Sequence, residues 1–421
     1  MHRRLRTFFG TVIVIATLTG CELLAAPGSP TTPPEGTSPT AQAGIPSSTT
    51  ESQGAPDSVE AQDTPSPAGE DTPQSTAVLE TQVEVVATDL IVPWALAFAP
   101  DGRLFVTERP GRLRVIENGQ LREEPVAELP VANVGEGGLM GVVLDPNFQQ
   151  NGYLYVMYTY REGEGLRNRI SRLTVQDNRA GDEFVLLDNI PGGSNHDGGR
   201  LVIGPDGMLY AGTGEAGQRD LAQDLSSLAG KILRMNLDGS IPEDNPIPGS
   251  YVYTYGHRNP QGIDWHPDNE QFYISEHGPS GEMGLCCRDE INLLVPGGNY
   301  GWPVVTGSQG DERFVDPLLF SGVEVTWAPA GLAIYQGEPL AAWEGNILFG
   351  ALRGRHLHRV VLNDDLTEAV SEERLFEGRY GRIRAVAVGP DGYLYFTTSN
   401  RDGRGNPSAG DDRILRIVPA S

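Results

Sequence analysis

The sequence predicts an all-β fold, a six-bladed β-propeller of four-stranded antiparallel blades, and three observations predict it. A short phrase returns six times along the chain. Each copy leads into a second stretch of period-two alternation. A further alternating segment, 82–87, precedes the first copy and can complete the last blade.

The copies run in order. Residues 98–106 read FAPDGRLFV, and 144–148 read LDPNF with GYLYV following at 152–156. Residues 203–210 read IGPDGMLY, 265–274 WHPDNEQFYI, 343–349 the degenerate WEGNILF, and 388–396 VGPDGYLYF. Pro presets φ, Asp caps the turn and Gly supplies positive φ, so each copy is a strand, a tight turn and a second strand. The second stretches are 111–116, 168–175, 231–236, 289–294, 356–361 and 413–418. Each presents one apolar face, as a half-buried strand requires. Repeats of roughly 40 to 60 residues built from antiparallel strands read as propeller blades. Unrelated hairpins in a β-sandwich are the alternative, but sandwiches lack such self-similarity. Uneven spacing predicts long loops after the second, third and fourth phrases. The last blade, 382–418, shows three strands, and 82–87 is expected to close the ring as its fourth.

The N-terminus reads as an address. Arg3, Arg4 and Arg6 precede an apolar run, 8–18, too short to span a bilayer. Leu18-Thr19-Gly20-Cys21 matches a lipobox, which predicts a signal peptide over 1–20 and a lipidated Cys21. Residues 21–80 are acidic and rich in Pro, Ser and Thr, and no Lys, Arg or His lies between Arg6 and Arg103. Such a segment cannot bury enough apolar surface to fold and reads as a disordered tether. The propeller domain is expected over 81–421. The chain is thus expected to be exported and lipid-anchored at a bacterial cell envelope, meeting the membrane through the anchor.

The net charge of −25 argues against nucleic acid and anionic membrane surfaces as partners. Lys231 is the only lysine of the sequence, so nearly all positive charge is Arg. Cys286 and Cys287 are adjacent and can form a vicinal disulfide or remain thiols. No CxxC spacing exists, which speaks against zinc.

Several loops carry more polar groups than turns need. In Ser194–Arg200, His196 stands among glycines beside Asp197, a general-base arrangement near neutral pH, or simply a surface turn. Tyr255–Gly262 places His257, Arg258, Asn259 and Gln261 just before a strand. Ser275–Ser280, Arg288–Asn292 and Gly297–Trp302 combine carboxylates with loop carbonyls on glycine backbone, which suits calcium or a salt-bridged loop. Arg353 and the pair Arg382 and Arg384 complete the set. The pair shares a strand face, and two like charges there call for an anion, unless both are solvated at the rim.

Together these loops resemble the soluble pyrroloquinoline quinone (PQQ) dependent sugar dehydrogenases, the glucose/sorbosone dehydrogenases and aldose sugar dehydrogenases. The resemblance covers 82–418. Its most specific pieces are Gly138–Phe148, Asn195–Gly207, Gly256–Gly262, Glu276–Pro279 and Asp289–Asn292. It implies a six-bladed propeller that oxidises an aldose to its lactone with PQQ and calcium (Ca2+), electrons leaving to a cytochrome or quinone. By resemblance His196 is the base, Arg258 stands beside the quinone carbonyl, and Asn259, Thr326, Arg353, Arg382 and Arg384 hold the cofactor. Gly278 and Pro279 match carbonyl ligands of the catalytic calcium. Glu290 and the Tyr300 carbonyl match ligands of a second, structural calcium. Glu136 and Asn195 fall at substrate-facing positions. Three departures stand out. Arg353 replaces a usual Lys, and Glu136 replaces a Gln. Asn195 replaces an Asp, which leaves His196 to be oriented by Asp197 or backbone groups. Unrelated PQQ enzymes stack the quinone on a vicinal disulfide, so Cys286-Cys287 is either a similar lid or a surface-loop disulfide. Two rival functions stay open: a non-catalytic binding propeller and a calcium-dependent sugar lactonase.

Overall fold

In the computed structural model, which describes residues 80–420, the repeated phrase folds as its chemistry dictates. Gly102, Gly207 and Gly392 take φ of 88°, 75° and 76°. The Asp of each of these copies accepts from the amide two residues on, as Asp206 Oδ1 does from Met208 at 3.1 Å. In the copies at 206 and 391 the same Asp also takes a hydroxyl from the following strand, Tyr210 to Asp206 at 2.9 Å and Tyr395 to Asp391 at 2.8 Å. One carboxylate thus fixes the turn and ties it to the blade. The predicted signal peptide, Cys21 and the tether before residue 80 lie outside the described residues.

The described residues form six antiparallel sheets, five of four strands and one of five. Blade 1 starts with Pro93–Phe98, and two short pieces, Gln120–Leu121 and Ala127–Glu128, share its outer edge. The innermost strands of blades 2 to 6 are Leu139–Leu144, Leu201–Ile203, Pro260–Trp265, Pro329–Ile334 and Ile383–Val388. Each touches the next, and the last touches Pro93–Phe98, which completes the ring. Closure is the expected one. Thr81–Ala87 pairs antiparallel with Ile414–Pro419, Thr81 opposite Pro419 and Val85 opposite Leu415.

One expectation is corrected. After the second phrase the extra residues form no loop. They lengthen the strands of blade 2 into Tyr153–Glu162, Gly165–Gln176 and Arg179–Gly192. Alternation is sustained there, and the paired Asp188–Arg169 at 2.8 Å and Arg172 over Tyr153 and Phe184 stabilise the outer face. The other long insertions are loops. Residues 214–230 join the second and third strands of blade 3, and 277–289 do so in blade 4.

Topology then decides where the polar loops go. Antiparallel pairing puts the start of each innermost strand beside the end of the second strand. Residues 133–138, 194–200, 256–259, 326–328 and 381–382 precede innermost strands, whereas 214–230, 277–289, 352–355 and 399–413 follow second strands. All of them therefore lie at one mouth of the propeller.

Candidate active site

At that mouth a cavity of about 1100 Å³ opens. Nine of the predicted site residues line it: Glu136, Asn195, His196, Arg258, Pro279, Thr326, Arg353, Arg382 and Arg384. Asn259 and Gly278 are buried behind the wall, while Glu290 and Tyr300 lie deeper in blade 4. Eight arginines and three carboxylates line the cavity, a surplus of positive charge in a chain of net −25.

His196 is buried and held at φ 60°, a left-handed conformation uncommon for a side-chain-bearing residue. The flanking glycines allow it. A Cβ on Gly214 would meet the His196 carbonyl oxygen at 1.9 Å. The Nδ1 of His196 is hydrogen-bonded to Glu215 Oε1. With Nδ1–H donating to that carboxylate, Nε2 is left as the proton acceptor, and Asn195 Nδ2 donates to it at 3.1 Å. The expected orienting partner, Asp197, is thereby corrected. Asp197 turns away, accepting from Asn168 Nδ2 at 2.9 Å and from the Gly193 amide at 3.0 Å. Burial pushes its carboxyl up to about 7. Glu215 was missed, although its setting, Gly214-Glu215-Ala216-Gly217 after a strand, carries the same glycine-flanked signal as the His196 loop.

Glu136 reaches the same point from blade 2. Its Oε2 accepts the His196 amide at 3.0 Å and its Oε1 pairs with Arg404 at 2.6 Å. Burial alone would raise this carboxyl, but Arg404 and the His196 amide hold it below the ordinary carboxylate range. His277 also lines the cavity, and burial keeps it neutral, down to about 4. Its Nε2 is buried without a partner among the described residues.

The arginine pair has a carboxylate partner within the chain. Asp402 stands between the two guanidiniums, 2.7 Å from Arg382 Nε and 3.6 Å from Arg384 Nη2. One carboxylate for the pair comes from the chain itself, so the two like charges do not by themselves require a ligand. Arg384 also bonds Ser399 Oγ at 3.0 Å and Gln261 Oε1 at 3.2 Å. Both arginines are thus fixed in place while lining the cavity. Arg353 is exposed, with no ion pair among the described residues. Arg258 is buried, bonds Glu282 Oε1 at 2.5 Å and lies over Trp302, and its Nε has no partner among the described residues. Asn259 Oδ1 accepts from the Gly198 amide at 3.0 Å, and its Nδ2 is buried without a partner among the described residues. Buried polar atoms are rarely left so.

Asp289 ties the loops of blade 4 to the start of blade 5. Its Oδ1 accepts from the Gly278 amide at 2.9 Å. Its Oδ2 accepts from Thr326 Oγ1 at 2.7 Å and from the amides of Trp327 and Ala328. Glu290 accepts from the Gly307 amide at 2.8 Å, and burial together with Glu276 pushes its carboxyl up to about 8. Among the described residues, no three His, Cys, Asp or Glu side chains are grouped as metal ligands. Cys286 and Cys287 form a disulfide, with Cys286 on the cavity wall and Cys287 buried.

Known proteins are similar to this chain over most of its length. Aldose sugar dehydrogenase YliI of Escherichia coli is 35% identical over 344 residues, 76% of this chain and 91% of that protein. Quinoprotein glucose dehydrogenase B of Acinetobacter calcoaceticus is 28% identical, over 80% of this chain and 88% of that protein. The PQQ-bound form of aldose sugar dehydrogenase from Streptomyces coelicolor superposes with a TM-score of 0.71 at 38% identity, over 81% of this chain and 99% of that one. The sequence matches the glucose/sorbosone dehydrogenase family over residues 90–415, and the chain belongs to that family.

Proposed function

We propose that this protein oxidises an aldose at its anomeric carbon to the lactone, using PQQ and calcium. One observation carries the reading: the Glu215-oriented His196 shares a cavity with Arg258, Arg382 and Arg384. The residues fit the cofactor. The arginine surplus suits a tricarboxylate, and the unpartnered Nε of Arg258 and Nδ2 of Asn259 offer donors beside the cavity wall. Arg353, Arg382, Arg384 and Thr326 would hold PQQ. The carbonyls of Gly278 and Pro279 would take calcium, a hard cation that accepts carbonyl oxygens, and Glu290 with the Tyr300 carbonyl would take a second calcium. When bound, PQQ with its calcium supplies the hydride acceptor.

The chain's own groups do the rest. His196 Nε2 takes the hydroxyl proton, and the Glu215 carboxylate stabilises the imidazolium that forms. A sugar hydroxyl displaces the Asn195 amide from Nε2. Glu136 and Arg404 close the cavity beside the base and contact the sugar. Asp402 keeps Arg382 and Arg384 from reorganising, so their charge is already in place. Export through the signal peptide and anchoring at Cys21 would put the domain beside a cytochrome or quinone that removes the electrons.

The test is reconstitution of the purified chain with PQQ and calcium, followed by dye reduction with glucose and other aldoses. Turnover is expected, and His196→Ala is expected to lower it by about 100-fold or more. No PQQ binding would point to a recognition propeller. Lactone hydrolysis without PQQ would point to a lactonase.

A further inference from the structure

The 277–289 loop contains a device whose parts all point to one job. Gly278 is pressed against it: a Cβ there would lie 2.0 Å from the Cys287 carbonyl oxygen and 2.3 Å from that of Arg288. The Cys287 amide donates to the Pro279 carbonyl at 2.8 Å. Ser280 and Cys286 form an antiparallel bridge, and the Gly281 amide donates to the Leu285 carbonyl at 2.8 Å, so 280–286 is a small closed turn. Glu282 projects from that turn onto Arg258, and its other oxygen accepts the Ser280 amide. Cys287 and Arg288 both sit at positive φ, 74° and 55°. Side-chain-bearing residues adopt that region uncommonly. The Arg288 amide is held by the Gly322 carbonyl at 2.8 Å, and Cys287 is held by the Pro279 carbonyl and by its covalent bond to Cys286.

We propose that the Cys286–Cys287 disulfide is a positioning clamp for the cofactor well, and that opening it lowers affinity for calcium and PQQ. The inference rests on the proposed cofactors. Closed, the disulfide fixes the Cys287 amide under the Pro279 carbonyl and keeps Glu282 on Arg258. A dithiol reductant opens it by exchange: the S–S bond breaks, two thiols form, and the reductant leaves as its own disulfide. Two electrons and two protons come from the reductant and none from the sugar. Cys286 lines the cavity, so a small dithiol can reach the bond.

The experiment titrates the full chain with PQQ at fixed calcium, before reduction, after dithiothreitol, and after reoxidation. Reduction is expected to weaken binding by about 10- to 100-fold, the usual effect of losing a group that orients ligands, and reoxidation to restore it. Cys286→Ser should match the reduced chain, and reversible reduction of the wild type serves where that variant fails to fold. Hydrogen exchange without cofactor gives an independent reading: the Gly281 and Cys287 amides should exchange faster on reduction. Equal PQQ affinity in both states overturns the clamp, as does a lowered melting temperature with unchanged affinity. Two thiols at 286 and 287 in chain purified in air overturn it too. If the oxidised chain binds no PQQ, the proposed function falls, while unchanged exchange of the two amides would sink the clamp by itself.

Discussion

His196 illustrates how one residue's chemistry is set by atoms that are remote in sequence. Glu215, nineteen positions on, fixes its tautomer through Nδ1, and Glu136, sixty positions back, accepts its amide. Glu215→Gln keeps the shape but removes the charge that supports the imidazolium. Turnover should fall by about 100-fold with PQQ affinity unchanged, read by steady-state kinetics beside a binding titration. Asp197 gives a different prediction. Its folded carboxyl titrates near 7 against an ordinary 3.8, chiefly through burial. Between those values the folded chain keeps a proton that the unfolded chain has lost, so this group's contribution to stability falls as pH rises through that window. Asp197→Asn should flatten the pH dependence of urea midpoints there. An unchanged slope would mean that another group titrates.

The loops at the mouth are held by single buried charges. Lys231 donates to the carbonyls of Leu221, Ala222 and Ala229 at 2.7, 3.0 and 2.6 Å, gathering the 214–230 loop that begins with Gly214 and Glu215. A guanidinium is too wide for three converging carbonyls, which accounts for a lysine in a chain that otherwise uses arginine. Lys231→Met strands three acceptors and should cost about 3 kcal/mol or more in denaturant unfolding. Asp289 does the same for the loops of blade 4 and the start of blade 5, with four donors. Asp289→Ala should loosen 278–279 and 326–328 together, seen as faster hydrogen exchange in both segments at once. Faster exchange in one alone would show that they are not coupled through this carboxylate.

At the scale of the molecule, the ring is closed by a strand from the other end of the chain. Thr81–Ala87 covers the edge of Ile414–Pro419, and Glu84 pairs with Arg416 at 2.7 Å. Removing residues 1–88 exposes that edge and frees blade 6 to open. The expected result is a lower melting temperature and association through the bared strand, measured by scanning calorimetry and light scattering. A truncated chain that melts like the full one would mean that blade 6 does not need its fourth strand.

The blade count, the inner strands of the blades, the closing strand, and His196, Arg258, Arg353, Arg382 and Arg384 at the mouth were legible in the sequence. Local rules govern them: Pro-Asp-Gly turns act over four residues, and alternation follows from the pleat. Glu215 behind His196, Asp402 between Arg382 and Arg384, and the Glu282–Arg258 contact were not. Each joins residues on different loops, and nothing in the spacing along the chain fixes which loop faces which. The extended blade 2 was misread for a related reason: its residues alternate, but pairing with a neighbouring strand, a tertiary event, decides whether such a segment is strand or loop. Sequence determined which groups reach the mouth. Ring closure decided which of them meet, because only the closed disc brings six distant loops around one axis.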